Sequence, residues 1–173
     1  ALRPGACAPS SPVESMPLVP ERVCDYPRPP ALVPGAQHVL VKALGQVLAD
    51  SHRSLRVLET FHPPTIYLPP EALRLEHLEP CAGRSVCEWK GVARYYDVVW
   101  QGQRLSRALW CYPEPTPAFA ALAGWFSLYP GRMDGCWLDD ERVLPQPGGF
   151  YGGWITTSVQ GPFKGDPRHP ELI

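Results

Sequence analysis

Lys90 stands between Trp89 and Gly91, with Glu88 two residues before it and Glu114 beyond the next apolar run. A lysine withdrawn from water loses its proton more readily and then serves as a base or a Schiff-base nucleophile, with a carboxylate to relay the proton. Cys87 adds a thiol, but no histidine is close in sequence to activate it, so an inert buried sulfur is the plainer reading. A surface or ion-paired side chain is likewise the plainer reading of Lys90. The catalytic candidates are therefore Lys90, Glu88, Glu114 and Cys87. A second chemistry surrounds them. Trp89, Tyr95, Trp110 and Tyr112 are interleaved with Gly91, Ala93 and Ala108, which suits a flat cleft with aromatic walls, a small-residue floor and Arg94 as a polar contact. The competing use of such aromatics is a second core layer.

A hairpin must position these residues. Two apolar runs flank Gln101-Gly102, and a glycine in a two-residue connection favours a tight turn. That turn pairs Trp100 with Gln103, Val98 with Leu105 and Ala93 with Trp110. Alternation then assigns Val92, Tyr96, Val98, Leu105 and Leu109 to a core face. Trp89, Gly91, Ala93, Tyr95, Ala108, Trp110 and Tyr112 take the cleft face. In this register Lys90 points away from Trp110 unless a bulge intervenes.

At 173 residues, with 23 prolines and 15 glycines, the chain suits one mainly β domain of short strands with a single brief helix. Residues 1–35 hold nine prolines and read as a disordered or extended arm, in which Met16 is a candidate natural start. Residues 36–145 form the β domain. A first hairpin turns near Gly45, Ser54–Thr60 gives a further strand, and Cys81–Arg84 reads as a turn. Thr116 and Pro117 open the short helix, and Asp139-Asp140 makes another turn. Residues 146–173 form a glycine-rich tail whose Phe150, Tyr151 and Trp154 are too apolar to stay in water, so it docks on the domain beside the cleft, with Lys164 near its edge.

Composition narrows the function. A net charge of −1 with scattered charges argues against nucleic-acid partners, and no apolar run is long enough for a membrane helix. The six cysteines and five histidines lack paired-ligand spacing, so no metal, zinc or other cofactor is expected, and the thiols are read as reduced in a cytoplasmic protein. Phosphate-loop, dinucleotide, nucleophile-elbow and zinc-protease motifs are all missing from the sequence. His62 and His77 read as loop residues.

The central stretch resembles the family called domain of unknown function 427, which is also filed as nucleotidyltransferase-like. The resemblance rests on Cys87, Trp89-Lys90-Gly91, Ala93, Tyr95-Tyr96, Ala108, Trp110, Tyr112-Pro113, Pro115 and Phe126–Tyr129, and spans about residues 37–144. The Gly148–Ile155 segment, with Gly161–Gly165, is similar to an extended bacterial subgroup. Many members carry Pro where this chain has Glu88, and Ser where it has Cys111. The resemblance implies a β-tent-like set of several coiled antiparallel sheets and brings no established reaction. Metal-dependent nucleotidyl transfer needs grouped carboxylates, and the acidic run Asp139-Asp140-Glu141 reads as a solvated turn. The sequence therefore points to a module that binds an unidentified small molecule, the alternative being an enzyme that uses Lys90 and a nearby glutamate.

Overall fold

The structure, a computed structural model, describes residues 19–172; Met16 and the rest of the first 18 residues lie outside the described residues. The chain is mainly β. It runs through β1 (Glu21–Arg22), β2 (Ala31–Gly35), β3 (Val39–Ala43), β4 (Gln46–Ser51), β5 (Ser54–Leu58) and β6 (Thr65–Tyr67). The long β7 (Leu78–Cys87), β8 (Gly91–Trp100) and β9 (Gln103–Cys111) follow. Six short strands complete it: β10 (Phe126–Leu128), β11 (Gly135–Leu138), β12 (Glu141–Arg142), β13 (Leu144–Pro145), β14 (Trp154–Ile155) and β15 (Val159–Gln160). They form antiparallel sheets ordered β10-β9-β8-β7, β12-β11-β3-β4 and β2-β5-β6, an antiparallel pair β13-β14 and a parallel pair β1-β15. No described helix is long and apolar enough to cross a membrane.

Three hairpins share one turn chemistry. Leu44-Gly45, Gln101-Gly102 and Asp139-Asp140 all take positive φ at both central positions. That is the turn whose twist matches the right-handed twist of its flanking strands. The Gln101-Gly102 turn gives the expected pairs Trp100–Gln103 and Val98–Leu105. Beyond them the register slips by two residues, so that Tyr95 rather than Ala93 faces Trp110. The cause is a bulge opposite Asp97. Its carboxylate accepts the Arg107 backbone N–H at 2.7 Å and an Arg104 guanidinium N–H at 2.6 Å, while Arg107 sits at φ 51°. An even slip keeps the faces of most residues. Ala108 lies inside the bulge and is redirected into the aliphatic core, and Val92, expected in that core, is exposed at the strand end beside Val86.

Other segments differ from their sequence reading for local reasons. Cys81–Arg84 is the bulged middle of β7 rather than a turn, because the register shifts between Pro80 and Arg84. Gly83, at φ 100°, absorbs that bulge. The last part of the arm, Ala31–Gly35, is a strand; Pro34 is tolerated there because β2 is an edge strand with one neighbour. The brief helix is a 3-10 segment, Pro117–Leu122. Thr116 makes no side-chain cap on it; its hydroxyl donates instead to the Trp89 carbonyl at 2.5 Å.

Burial divides the described interior into three clusters. The largest is aliphatic and joins Val39, Val41, Leu68, Val98, Leu109 and Leu128 with Trp154 from the tail. A second, aromatic cluster holds Tyr67, Tyr95, Trp110 and Tyr112 with Val57, Phe119 and Leu122. A small third one holds Val23, Tyr26, Leu58 and Val159. The second cluster surrounds the site.

Candidate functional site

The β8–β9 pair supplies the wall. Tyr95 and Trp110 are registered partners and therefore project from the same face. Trp110 is oriented by its indole N–H, which donates to the Tyr67 hydroxyl at 3.1 Å with the two rings edge to face. Tyr95 is held through its hydroxyl, 2.7 Å from the Ser85 hydroxyl, and the Arg107 guanidinium lies 3.9 Å over its ring. Burial pushes the Tyr67 and Tyr112 phenols far above the usual tyrosine range and that of Tyr129 up to about 12. At neutral pH all three are protonated and can donate hydrogen bonds.

The β7–β8 connection supplies the rim. Glu88, Trp89 and Lys90 form the loop between the paired residues Cys87 and Gly91, so Lys90 is not a strand residue and the expected opposition to Trp110 does not apply. Two bonds from Thr116 clamp this loop: its N–H to the Lys90 carbonyl at 3.0 Å and its hydroxyl to the Trp89 carbonyl. Gly91 sits at φ 108°, and a Cβ there would stand 3.4 Å from the Glu114 carbonyl. The Lys90 ammonium reaches 5.7 Å from the Tyr112 ring centre.

The tail closes the other side. A Cβ on Gly152 would overlap the Trp110 indole, and one on Gly153 would meet Pro63 and the Gln146 side chain. Glycine at these two positions lets the backbone lie against the wall. Tyr129 donates its hydroxyl to the Phe150 carbonyl at 3.2 Å, and the Lys164 ammonium lies 5.1 Å over the Tyr151 ring. Between wall, rim and tail lies a cavity of about 410 Å³.

Of the candidates from sequence, Trp89, Tyr95, Trp110, Tyr112, Lys90, Glu88 and Cys87 line this cavity. Arg94 and Glu114 do not. Arg94 projects from the opposite face of β8, where its charge bears on Tyr96 and Cys111. Glu114 is exposed, with its backbone carbonyl beside the Gly91 turn. The described cysteines, Cys24, Cys81, Cys87, Cys111 and Cys136, carry free thiols, and burial pushes the Cys136 thiol up to about 12. Among the described residues no group of three or more His, Cys, Asp or Glu side chains is placed to hold a metal ion.

The cavity also contains groups that sequence reading left in loops. His62 is 7% exposed, and its Nδ1 is 3.0 Å from the Gln146 amide nitrogen. The Gln146 amide orientation is fixed independently: its oxygen accepts the Gly153 N–H at 3.0 Å and its nitrogen donates to the Lys164 carbonyl at 2.9 Å. The amide nitrogen therefore donates its second hydrogen to Nδ1, and the neutral imidazole carries its proton on Nε2. Glu59 Oε2 lies 3.8 Å from Nε2, beyond hydrogen-bonding distance. Burial lowers the His62 pKa, with Lys164 and Lys90 adding to the effect and Glu59 opposing it. The partners are 84 positions apart for Gln146 and His62, so no local spacing announces them. The only sequence hint is the stiff His62-Pro63-Pro64 run facing a tail of paired glycines.

The description of one family, Domain of unknown function (DUF427), accompanies a match over residues 31–139. No curated protein matches the chain.

Proposed function

The chain belongs to the DUF427 family, and from that premise we propose that it is a binding module whose cavity takes a flat, ring-bearing small molecule. One observation carries the reading: rings from the β8–β9 wall, the β7–β8 loop and the tail converge on a space of about 410 Å³ without filling it. That volume falls in the roughly 300–1,000 Å³ range of small-molecule sites. Each aromatic contact adds about 0.5–1.5 kcal/mol beyond area burial, so two or three supply part of the roughly 8 kcal/mol of micromolar binding and apolar burial supplies the rest. Titration of the 15N-labelled protein with 2-naphthamide, a neutral planar probe, should shift the amides of Tyr95, Trp110 and Gly152 in a saturable manner. Trp89→Ala should weaken this binding severalfold. Shifts confined to other surfaces would overturn the proposal.

The shared placement of Lys90 and Glu88 on the cavity favours, as a second reading, an enzyme in which Lys90 takes or donates a proton. An NMR titration placing the Lys90 ammonium near pH 7 would support that reading. An ordinary lysine titration leaves the module.

A further inference from the structure

The cavity's charge pattern defines the class of molecule it would hold. Four ionisable side chains other than His62 and the phenols and thiol face it: Glu59, Glu88, Lys90 and Lys164. The two carboxylates are already placed. Glu59 has the Arg28 guanidinium 3.9 Å away, and Glu88 is exposed to solvent. The two ammonium groups are different. Among the described residues neither has a carboxylate within 4.0 Å, and each lies over an aromatic face, Lys90 on Tyr112 and Lys164 on Tyr151. One comes from the β7–β8 loop and the other from the tail, and both line the cavity together with His62. Both oppose a proton on the His62 ring, while Glu59, 3.8 Å from Nε2, acts against them. His62 carries its proton on Nε2, with no hydrogen-bond partner among the described residues, the tautomer being set by Gln146.

Resting on the binding reading above, we infer that the occupant is an aromatic acid: its ring stacks among Trp89, Trp110 and Tyr112, and its carboxylate or comparable anion sits between Lys90 and Lys164, receiving the Nε2–H of His62. Two ammonium groups and a fixed N–H donor give an anion charge-assisted hydrogen bonds in a partly desolvated place, where such bonds are roughly twice as strong as neutral ones. A neutral ring molecule of the same shape gains only the stacking. The cation–π contacts hold both lysines ready, at little cost when an anion displaces them.

The test is a matched pair of probes, 2-naphthoate and 2-naphthamide, titrated calorimetrically at pH 7.5 into the full chain and into Lys90→Met, Lys164→Met and the double variant. Naphthoate should bind at least tenfold more tightly than naphthamide. Either single substitution should cut that preference severalfold, and the double variant should abolish it. Equal affinities for both probes in the unaltered chain would overturn the aromatic-acid assignment and leave the ring-binding reading intact. A preference that survives in the double variant would overturn the role of the lysines. Failure of both probes to bind, or binding unaffected by Trp89→Ala, would overturn both readings together.

Discussion

The two faces of the β8–β9 pair are equally buried and differently built. On one, Val98 and Leu109 pack with Val39, Val41, Leu68, Leu128, Phe126 and Trp154 in a mainly aliphatic cluster. On the other, Tyr95, Trp110 and Tyr112 are each under 9% exposed, yet they stand beside open space. Branched aliphatic side chains can fill irregular volume to the density of an organic crystal. Rigid rings with a hydroxyl or N–H at the edge must first satisfy that polar atom. Ser85 does so for Tyr95, and Tyr67 for Trp110, which props the rings apart. Burial alone thus fails to separate core from site. The open space beside the rings, which their bonded polar edges hold apart, separates them.

The sharpest way to break this comparison is to empty each face in turn. Trp154 is 1% exposed, lies in the aliphatic cluster and comes from the tail. Trp154→Ala should cost about 3–5 kcal/mol, lowering the melting temperature by roughly 6–20 °C for a domain of this size. The ratio of naphthoate to naphthamide affinity should be unchanged in whatever fraction remains folded. Trp110→Phe keeps a ring but removes the N–H to Tyr67, and should cost only about 1 kcal/mol of stability while weakening both probes. If Trp110→Phe proves the more destabilising of the two, the distinction between filled core and propped wall is wrong.

A smaller effect is expected where tail and wall touch. Gly152 takes no left-handed conformation, so alanine is allowed by its backbone, and the Trp110 indole is what its Cβ would meet first. Gly152→Ala should cost about 1–3 kcal/mol through overpacking and should tilt Trp110 into the cavity, seen as reduced probe affinity and a changed indole N–H resonance. Unaltered stability and binding would show that the tail does not press on the wall.

These elements were unequally legible in the chain. The Gln101-Gly102 turn is local chemistry, so the pairing of Val98 with Leu105 could be read from two residues and the apolar runs beside them. Two slips followed from one buried carboxylate: Asp97 binds the Arg107 N–H, makes the bulge, and moves both the partner of Trp110 and the side of Ala108. Nothing in the sequence marks which acidic residue of a strand will fold inward to do this. Strand β7 was hidden because its own bulge carries the glycine and proline that signal turns. Arg94 and Glu114 lie close to the aromatics in sequence, but alternation in β8 and the exposed segment after β9 carry them elsewhere. The aromatic wall could be foreseen because it lies in one hairpin. Lys164 could be set near the cleft edge from the aromatic anchors of the tail, whereas His62, Gln146 and Glu59 could not be assembled, since only the folded tail brings them together.

The finest test of the comparison is the pH response of that assembly. His62 is buried as a neutral ring with its pKa lowered, chiefly by burial, further by Lys164 and Lys90, and against the pull of Glu59. The unfolded chain therefore takes up the proton first as pH falls, near the ordinary histidine pKa of about 6.5. Between that value and the lower folded pKa the unfolded state binds more protons, so stability falls as the solution is acidified and is fully present above the window. One group contributes at most about 1.4 kcal/mol per pH unit there. Asp97 and Asp166, both held below the usual carboxylate range, begin to lose their contributions only near the ordinary carboxylate pKa of about 3.9, below the range from pH 7 to pH 5. His62→Gln removes the titration while offering the Gln146 amide an acceptor oxygen of similar reach. The melting temperature of the unaltered chain should drop between pH 7 and pH 5 by several degrees more than that of His62→Gln. Parallel profiles would mean that His62 charges freely in the folded protein, and the cavity would then carry three cations rather than two cations and a fixed neutral donor.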